Sequence, residues 1–312
     1  VTIVGAGSTN ITASQTGDSN YNAAIDVVQG LTVGQANQTI TFGALAGKTF
    51  GDAAFALTGT ASSSLTVSYA SSNTSVATVS GTTVTIVGAG STNITASQTG
   101  DTNYNAAIDV VQGLTVGQAN QTITFGALAG KTFGDAAFAL TGTASSSLTV
   151  SYASSNTSVA TVSGTTVTIV GAGSTNITAS QTGDSNYNAA IDVVQGLTVG
   201  QSNQTITFGT LTGKTFGDAA FALTGTASSS LTVSYASSNT SVATVSGTTV
   251  TIVGAGSTNI TASQTGDSNY NAAIDVVQGL TVGQANQTIT FGALAGKTFG
   301  DAAFALTGTA SS

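Results

Sequence analysis

The sequence predicts an all-β chain: a tandem array of seven-stranded β-sandwich domains on an 83-residue repeat. Three observations carry this. The stretch VTIVGAGSTNITAS stands at Val1 and returns at Val84, Val167 and Val250, 83 residues apart each time. Each unit breaks into short runs rich in Val, Ile, Thr, Phe and Tyr, with a turn signal about every ten residues. No run shows helical period. A fixed period with its own apolar set, at this length, points to a small domain rather than one turn of a solenoid.

The copy that starts at Gln38 shows the elements in order. QTITF (38–42) alternates, with Ile40 and Phe42 on one face of a first edge strand. GALAGKTFGDAA follows as a Gly-punctuated connection. FALTGTA puts Phe55, Leu57, Gly59 and Ala61 on one face, and LTVSYAS does the same with Leu65, Val67 and Tyr69. SVATVSGTTVTIV reads as a hairpin around Ser80-Gly81, with Val84 and Ile86 inward. After the bend at Gly88-Ala89-Gly90, TNITASQ carries Ile94 and Ala96 inward. GDTNYNAA is a loop, and IDVVQGLTV closes the unit with Ile108, Val110, Leu114 and Val116 on one face. Phe42, Phe55, Tyr69 and Tyr104 are the expected core aromatics, Tyr104 as an anchor plugging the sandwich end.

This phase divides the chain at residues 1–37, 38–120, 121–203, 204–286 and 287–312. The first segment is the back part of one sandwich and the last the front part of another. The 20 residues that would join them, SLTVSYASSNTSVATVSGTT in the complete copies, are missing, and a composite of the two parts would lack its third and fourth strands. The expectation is therefore a window on a longer covalent array rather than subunits that complete each other by strand exchange.

Composition excludes several function classes. Only thirteen residue types occur; Pro, Cys, Met, His, Trp, Arg and Glu are absent. That removes disulfides, Cys/His metal sites, thiol nucleophiles and Ser-His-Asp triads from this segment. Each repeat has one Lys and three Asp, and the net charge is -8. A chain so poor in cations cannot neutralise phosphates, so nucleic acid is not an expected partner. Twelve Asp and four Lys in near-identical repeats offer no asymmetric acid/base pair, so no enzyme activity is expected. With 40% hydrophobic residues the chain should fold, while no apolar run approaches the ~20 residues of a membrane span. Sulfur-free, repetitive composition fits a protein exported in quantity.

The stretch VSYASSNTSVATVSGTTVTIVGAGSTNITAS (67–97) resembles the group-2 type of bacterial immunoglobulin-like (Ig-like) repeats, found in large secreted surface proteins and in intimin/invasin-type adhesins. The matching features are the Ser-Asn cluster, VATV, the Gly turn, and a Gly followed shortly by ITA. Where that family often has Trp on the third strand, this chain has Tyr69, Tyr152 and Tyr235. The resemblance implies an Ig-like sandwich and an extracellular or cell-surface stalk or spacer. It names no ligand.

Three kinds of candidate site follow. GDSNYNAAID (17–26) and its counterpart with Asp101, Asn103, Asn105 and Asp109 have the oxygen-rich spacing that can hold calcium. Position six is Ala rather than Gly and position twelve is not Glu, and Asx residues also build loops by bonding their own backbone, which is the preferred reading. Lys48 is the only cation of its repeat; it reads as a surface partner of Asp52, with an isopeptide bond to an Asn as the remote alternative. Asn37, Asn73 and Asn93 stand in N-x-Ser/Thr sequons, which matter only in an organism that glycosylates. No cofactor is implied.

The junction LTVGQANQTITF (114–125) leaves Gly117, Gln118, Ala119 and Asn120 between the last strand of one domain and the first of the next. So short a connection, without Pro or a Gly/Ser tract, makes neighbouring domains abut. The favoured function is a stiff extracellular filament or stalk that self-associates end to end, with lateral bundling through weakly defended edges. The alternative is an adhesin whose repeats bind glycan or protein directly. Outer faces of Thr, Ser and Ala make a poor binding surface.

Overall fold

The computed structural model describes residues 1–312, and every regular element in it is a β-strand. The chain divides into two compact units, residues 1–126 with 141–152 and 178–194, and residues 127–140 with 153–177 and 195–312. Each unit contains one complete repeat of the same construction.

The first unit opens with an antiparallel hairpin of β1 (Gly7–Ala13) and β2 (Val27–Val33). Its complete repeat follows as β3 (Ile40–Thr41), β4 (Lys48–Thr49), β5 (Phe55–Ala56), β6 (Thr60–Ala61) and β7 (Ser68–Ser71). It ends with β8 (Ala77–Ser80), β9 (Thr83–Ile86), β10 (Gly90–Ser97) and β11 (Val110–Gly117). One sheet runs β4-β11-β10-β7; facing it lie β5-β9-β8 and the pair β3-β6. All pairings are antiparallel except β4 on β11. The second unit repeats this pattern: Lys214–Thr215 pairs parallel with Val276–Gly283, and Ser234–Ser237 flanks Gly256–Ser263.

Alternation drives the packing. Along β10, Thr92, Ile94 and Ala96 are buried while Asn93 is exposed, as period-two side chains require. Ile94, Val84 and Ala77 are fully enclosed, with Leu114, Val116, Leu57, Val67, Phe42 and Ile40 around them. Phe55 and Tyr69 pack on this cluster half-buried. The Phe42 and Tyr69 rings meet edge to face at 5.4 Å. At the hairpin corner Gly81 takes φ 58°, the left-handed conformation a side chain would resist.

Three local expectations need correction. Seven strands were expected, and the repeat has nine strand segments. One addition comes from FALTGTA, which divides into β5 and β6. The Gly59 carbonyl between them accepts the Tyr69 hydroxyl at 3.1 Å, so it is spent on a side chain rather than a strand neighbour. The other is β4, inside the expected connection, where Lys48-Thr49 adds a parallel edge to Val116-Gly117. Finally, Ile108 does not face the core: it is 89% exposed. Pairing of β11 begins only at Val110 opposite Ala96, so strand alternation has no hold two residues earlier. The outer surface therefore carries Ile108 and Val111 as well as Thr, Ser and Ala.

Candidate functional site

The chemistry of this chain concentrates in the Asn-Tyr-Asn loop and the surface it meets. The loop builds itself. Asp101 Oδ1 accepts the backbone N–H of Asn103 at 2.8 Å and of Tyr104 at 2.9 Å, and Asp101 N–H donates to the Tyr104 carbonyl at 3.0 Å. Gly100 sits at φ 79°, and a Cβ there would run into the Tyr104 carbonyl. This tight turn leaves the backbone of Asn103 and Asn105 pointing outward with unspent groups.

Those groups meet the interdomain connection. Ala36 N–H donates to the Asn103 carbonyl at 2.8 Å and Asn105 N–H donates to the Ala36 carbonyl at 2.9 Å, a parallel bridge. Gln35 Nε2 donates to the Asp101 carbonyl at 2.7 Å, and Asn105 Nδ2 to Asn37 Oδ1 at 2.9 Å. The side chain of Asn103 reaches further, accepting the N–H of Ala6 at 2.8 Å.

The arrangement recurs. In the first unit Asn186 Oδ1 accepts Ala89 N–H at 2.9 Å, Gln118 Nε2 donates to the Asp184 carbonyl at 2.6 Å, and Asn188 Nδ2 to Asn120 Oδ1 at 2.9 Å. The backbone of Ala119 brackets Tyr187, and the Tyr187 ring stands edge-on to Phe50 at 5.4 Å. In the second unit Asn269 Oδ1 accepts Ala172 N–H at 2.8 Å, Ser202 brackets Tyr270, and Tyr270 meets Phe133 at 5.4 Å. Phe50 also packs on its own core and donates its N–H to the Gly117 carbonyl at 2.9 Å, so one ring touches both sides of the junction.

A buried polar network lies beneath. Gln38 is 6% exposed; its Nε2 donates to the Asn105 carbonyl at 2.8 Å and to Gln98 Oε1 at 3.2 Å, and its Oε1 accepts the Ser63 hydroxyl. Gln98 Oε1 in turn accepts Gly100 N–H, and Gln98 Nε2 donates to the Thr66 carbonyl at 3.0 Å. Buried polar groups this fully paired specify one arrangement, since any shift leaves several unpaired at once.

Gly117, Gln118, Ala119 and Asn120 thus all make contacts here. Of the calcium candidates, Asp101 and Asn103 spend side-chain oxygens on backbone N–H groups, Asn105 donates to Asn37, and Asp109 lies exposed ahead of β11. Tyr104 is half-buried at the junction rather than packed in the core with Phe42, Phe55 and Tyr69. Lys48 Nζ lies 4.8 Å above the Phe55 ring, while Asp52 Oδ2 accepts Thr49 N–H at 2.9 Å, so the expected Lys–Asp pair is replaced by a cation–π contact and a turn cap. Sequence reasoning missed Gln38, Phe50, Asn103 and the Gly88-Ala89 bend as a set. The available signal was their recurrence at one spacing in every copy.

No family model matches the chain, and no curated protein sequence matches it. Solved structures with a similar course include cadherin, desmocollin and surface-layer repeat proteins. Drosophila N-cadherin EC1-4 is 11% identical, covering 89% of this chain and 84% of that one, with a TM-score of 0.28. The human Desmocollin-1 ectodomain is 7% identical, covering 88% and 67%, with a TM-score of 0.29. Surface layer protein SbsC, domains 1-6, is 16% identical with a TM-score of 0.24; this chain covers 92% of itself but only 47% of that structure. The chain is a tandem array of β-sandwich repeats, and its function has to be argued from its own junctions.

Proposed function

We propose that this chain is a structural segment of an extracellular stalk or filament, in which each junction is clamped so that neighbouring repeats hold one orientation. The carrying observation is the Asn-Tyr-Asn loop, which binds the connecting segment on both sides and reaches the preceding repeat through Asn186 and Asn269. A flexible tether needs no such bonds. Charge-poor composition, with Lys and Asp engaged locally, supports mechanical rather than catalytic use. The group-2 resemblance of residues 67–97 supports the extracellular placement.

The chain has no cysteine, so spin labels can be placed cleanly at Ser68→Cys and Ser151→Cys, equivalent exposed positions in neighbouring repeats. A single narrow distance distribution is expected. A broad distribution spanning many ångströms refutes the clamp.

A further inference from the structure

The entry and exit segments of a repeat lie side by side in a single register. Ala36 bridges Tyr104, Asn105 Nδ2 reaches Asn37, and Lys48-Thr49 pairs with Val116-Gly117, each partner 68 residues further along the chain. The backbone pairings are all parallel. The second unit keeps this register: Ser202 bridges Tyr270, Asn271 Nδ2 donates to Asn203, and Lys214-Thr215 pairs with Val282-Gly283. These are rungs of one parallel ladder, interrupted where β3 turns away to pair with β6. Glutamine side chains span the interruption. Gln38 Nε2 donates to the Asn105 carbonyl and Gln112 Nε2 to the Phe42 carbonyl, both at 2.8 Å. Gln204 and Gln278 make the same bonds to Asn271 and Phe208, again at 2.8 Å. The Phe50 N–H closes the far end on the Gly117 carbonyl at 2.9 Å.

Tension along a chain of such repeats reaches this one at Gly34 and leaves it beyond Gly117. It pulls the entry segment (35–50) one way and the exit segment (101–117) the other. Between parallel segments that motion is sliding, so the rungs are strained together and none opens ahead of the rest. An antiparallel pair pulled apart at one end, such as β7 and β10 at Ser68 and Ser97, instead opens rung by rung. Residues 51–100 lie off the load path, because entry and exit segments are tied directly to each other. We infer that the repeats bear tension along the chain, and that this entry-to-exit ladder, with its Gln38 and Gln112 rungs, is the element that resists it. The inference rests on the stalk reading and adds load to it. A spacer that only kept distance would need its core to hold, but no row of bonds joining the two points where force arrives.

Single-molecule force spectroscopy on the full chain tests this with two pairs of tethers, since the chain has no cysteine of its own. Gly34→Cys with Gly117→Cys loads the ladder at equivalent points one period apart. Both positions accept a side chain: nothing lies within 4 Å of a Cβ at Gly34, and at Gly117 the nearest atom is the Lys48 carbonyl oxygen at 3.8 Å. Ser68→Cys with Ser97→Cys pulls β7 from β10 at their shared end. The first geometry should rupture at about twofold the force of the second or more, because forced unfolding follows the barrier to rupture rather than equilibrium stability. Gln112→Ala should lower the force in the first geometry and leave the second unchanged. Equal forces in the two geometries, or a Gln112→Ala effect that is the same in both or absent from both, overturns the inference. The spin-label distances are read on the unloaded chain, so failure of the ladder and failure of the clamped orientation are distinguishable.

Discussion

Asn186 offers its side-chain oxygen to the backbone N–H of Ala89, 2.9 Å away and 97 residues earlier in the chain. A Cβ on the adjacent Gly88 would lie 3.3 Å from that same oxygen and 2.7 Å from the Ser75 carbonyl. The glycine bend and the loop asparagine are therefore two halves of one contact. Replacing Asn186 with Ala leaves the Ala89 donor half-buried and unpaired, a loss of about 1–3 kcal/mol. Amide hydrogen exchange should show Ala89 losing protection in the variant, with Ala172, which keeps its bond to Asn269, unchanged as the internal reference. Equal protection at Ala89 in parent and variant contradicts the contact.

Tyr69 and Gly59 form a second coupled pair. The tyrosine hydroxyl donates to the Gly59 carbonyl, and a Cβ on Gly59 would lie 2.6 Å from the hydroxyl oxygen. Tyr69→Ala should destabilise the repeat by about 3–5 kcal/mol through the cavity it leaves. Gly59→Ala should also destabilise, and its effect should shrink when Tyr69→Phe removes the clashing oxygen. A double-mutant cycle on unfolding free energies reads this coupling. Strict additivity is the opposing result.

Ile108 and Ile94 separate exposure from apolarity. Ile108→Ser should change stability by no more than about 0.5 kcal/mol, as for other surface substitutions. Ile94→Ala, from a fully enclosed position, should cost about 2–5 kcal/mol. Denaturant midpoints for the two variants decide it.

Gln38 is the polar keystone below the junction. Gln38→Ala strands the Asn105 carbonyl, the Ser63 hydroxyl and part of Gln98, and should cost about 1–3 kcal/mol. Melting curves of parent and variant read the loss, and unchanged melting contradicts the network.

The sequence by itself determined the period, the all-β class and most inward positions. Strand side chains alternate strictly, so Ile94, Ala96, Leu114 and Val116 could be assigned to the core from neighbours alone. It also located the short connection at Gly117–Asn120. Only the tertiary structure decided what that connection binds. Asn186 and Ala89 are 97 residues apart, Gln118 and Asp184 66, and no local pattern encodes either distance. The same holds for the Lys48–Thr49 strand, which pairs in parallel with Val116 and Gly117 at the other end of the repeat. Ile108 failed for a related reason. Alternation predicts a face only where a neighbouring strand holds the backbone flat, and that ladder starts at Val110. Polar side chains are hardest to read, because Gln38 and Asn103 are as much at home in water as in a buried network. What assigned them was the set of partners the fold brought within reach.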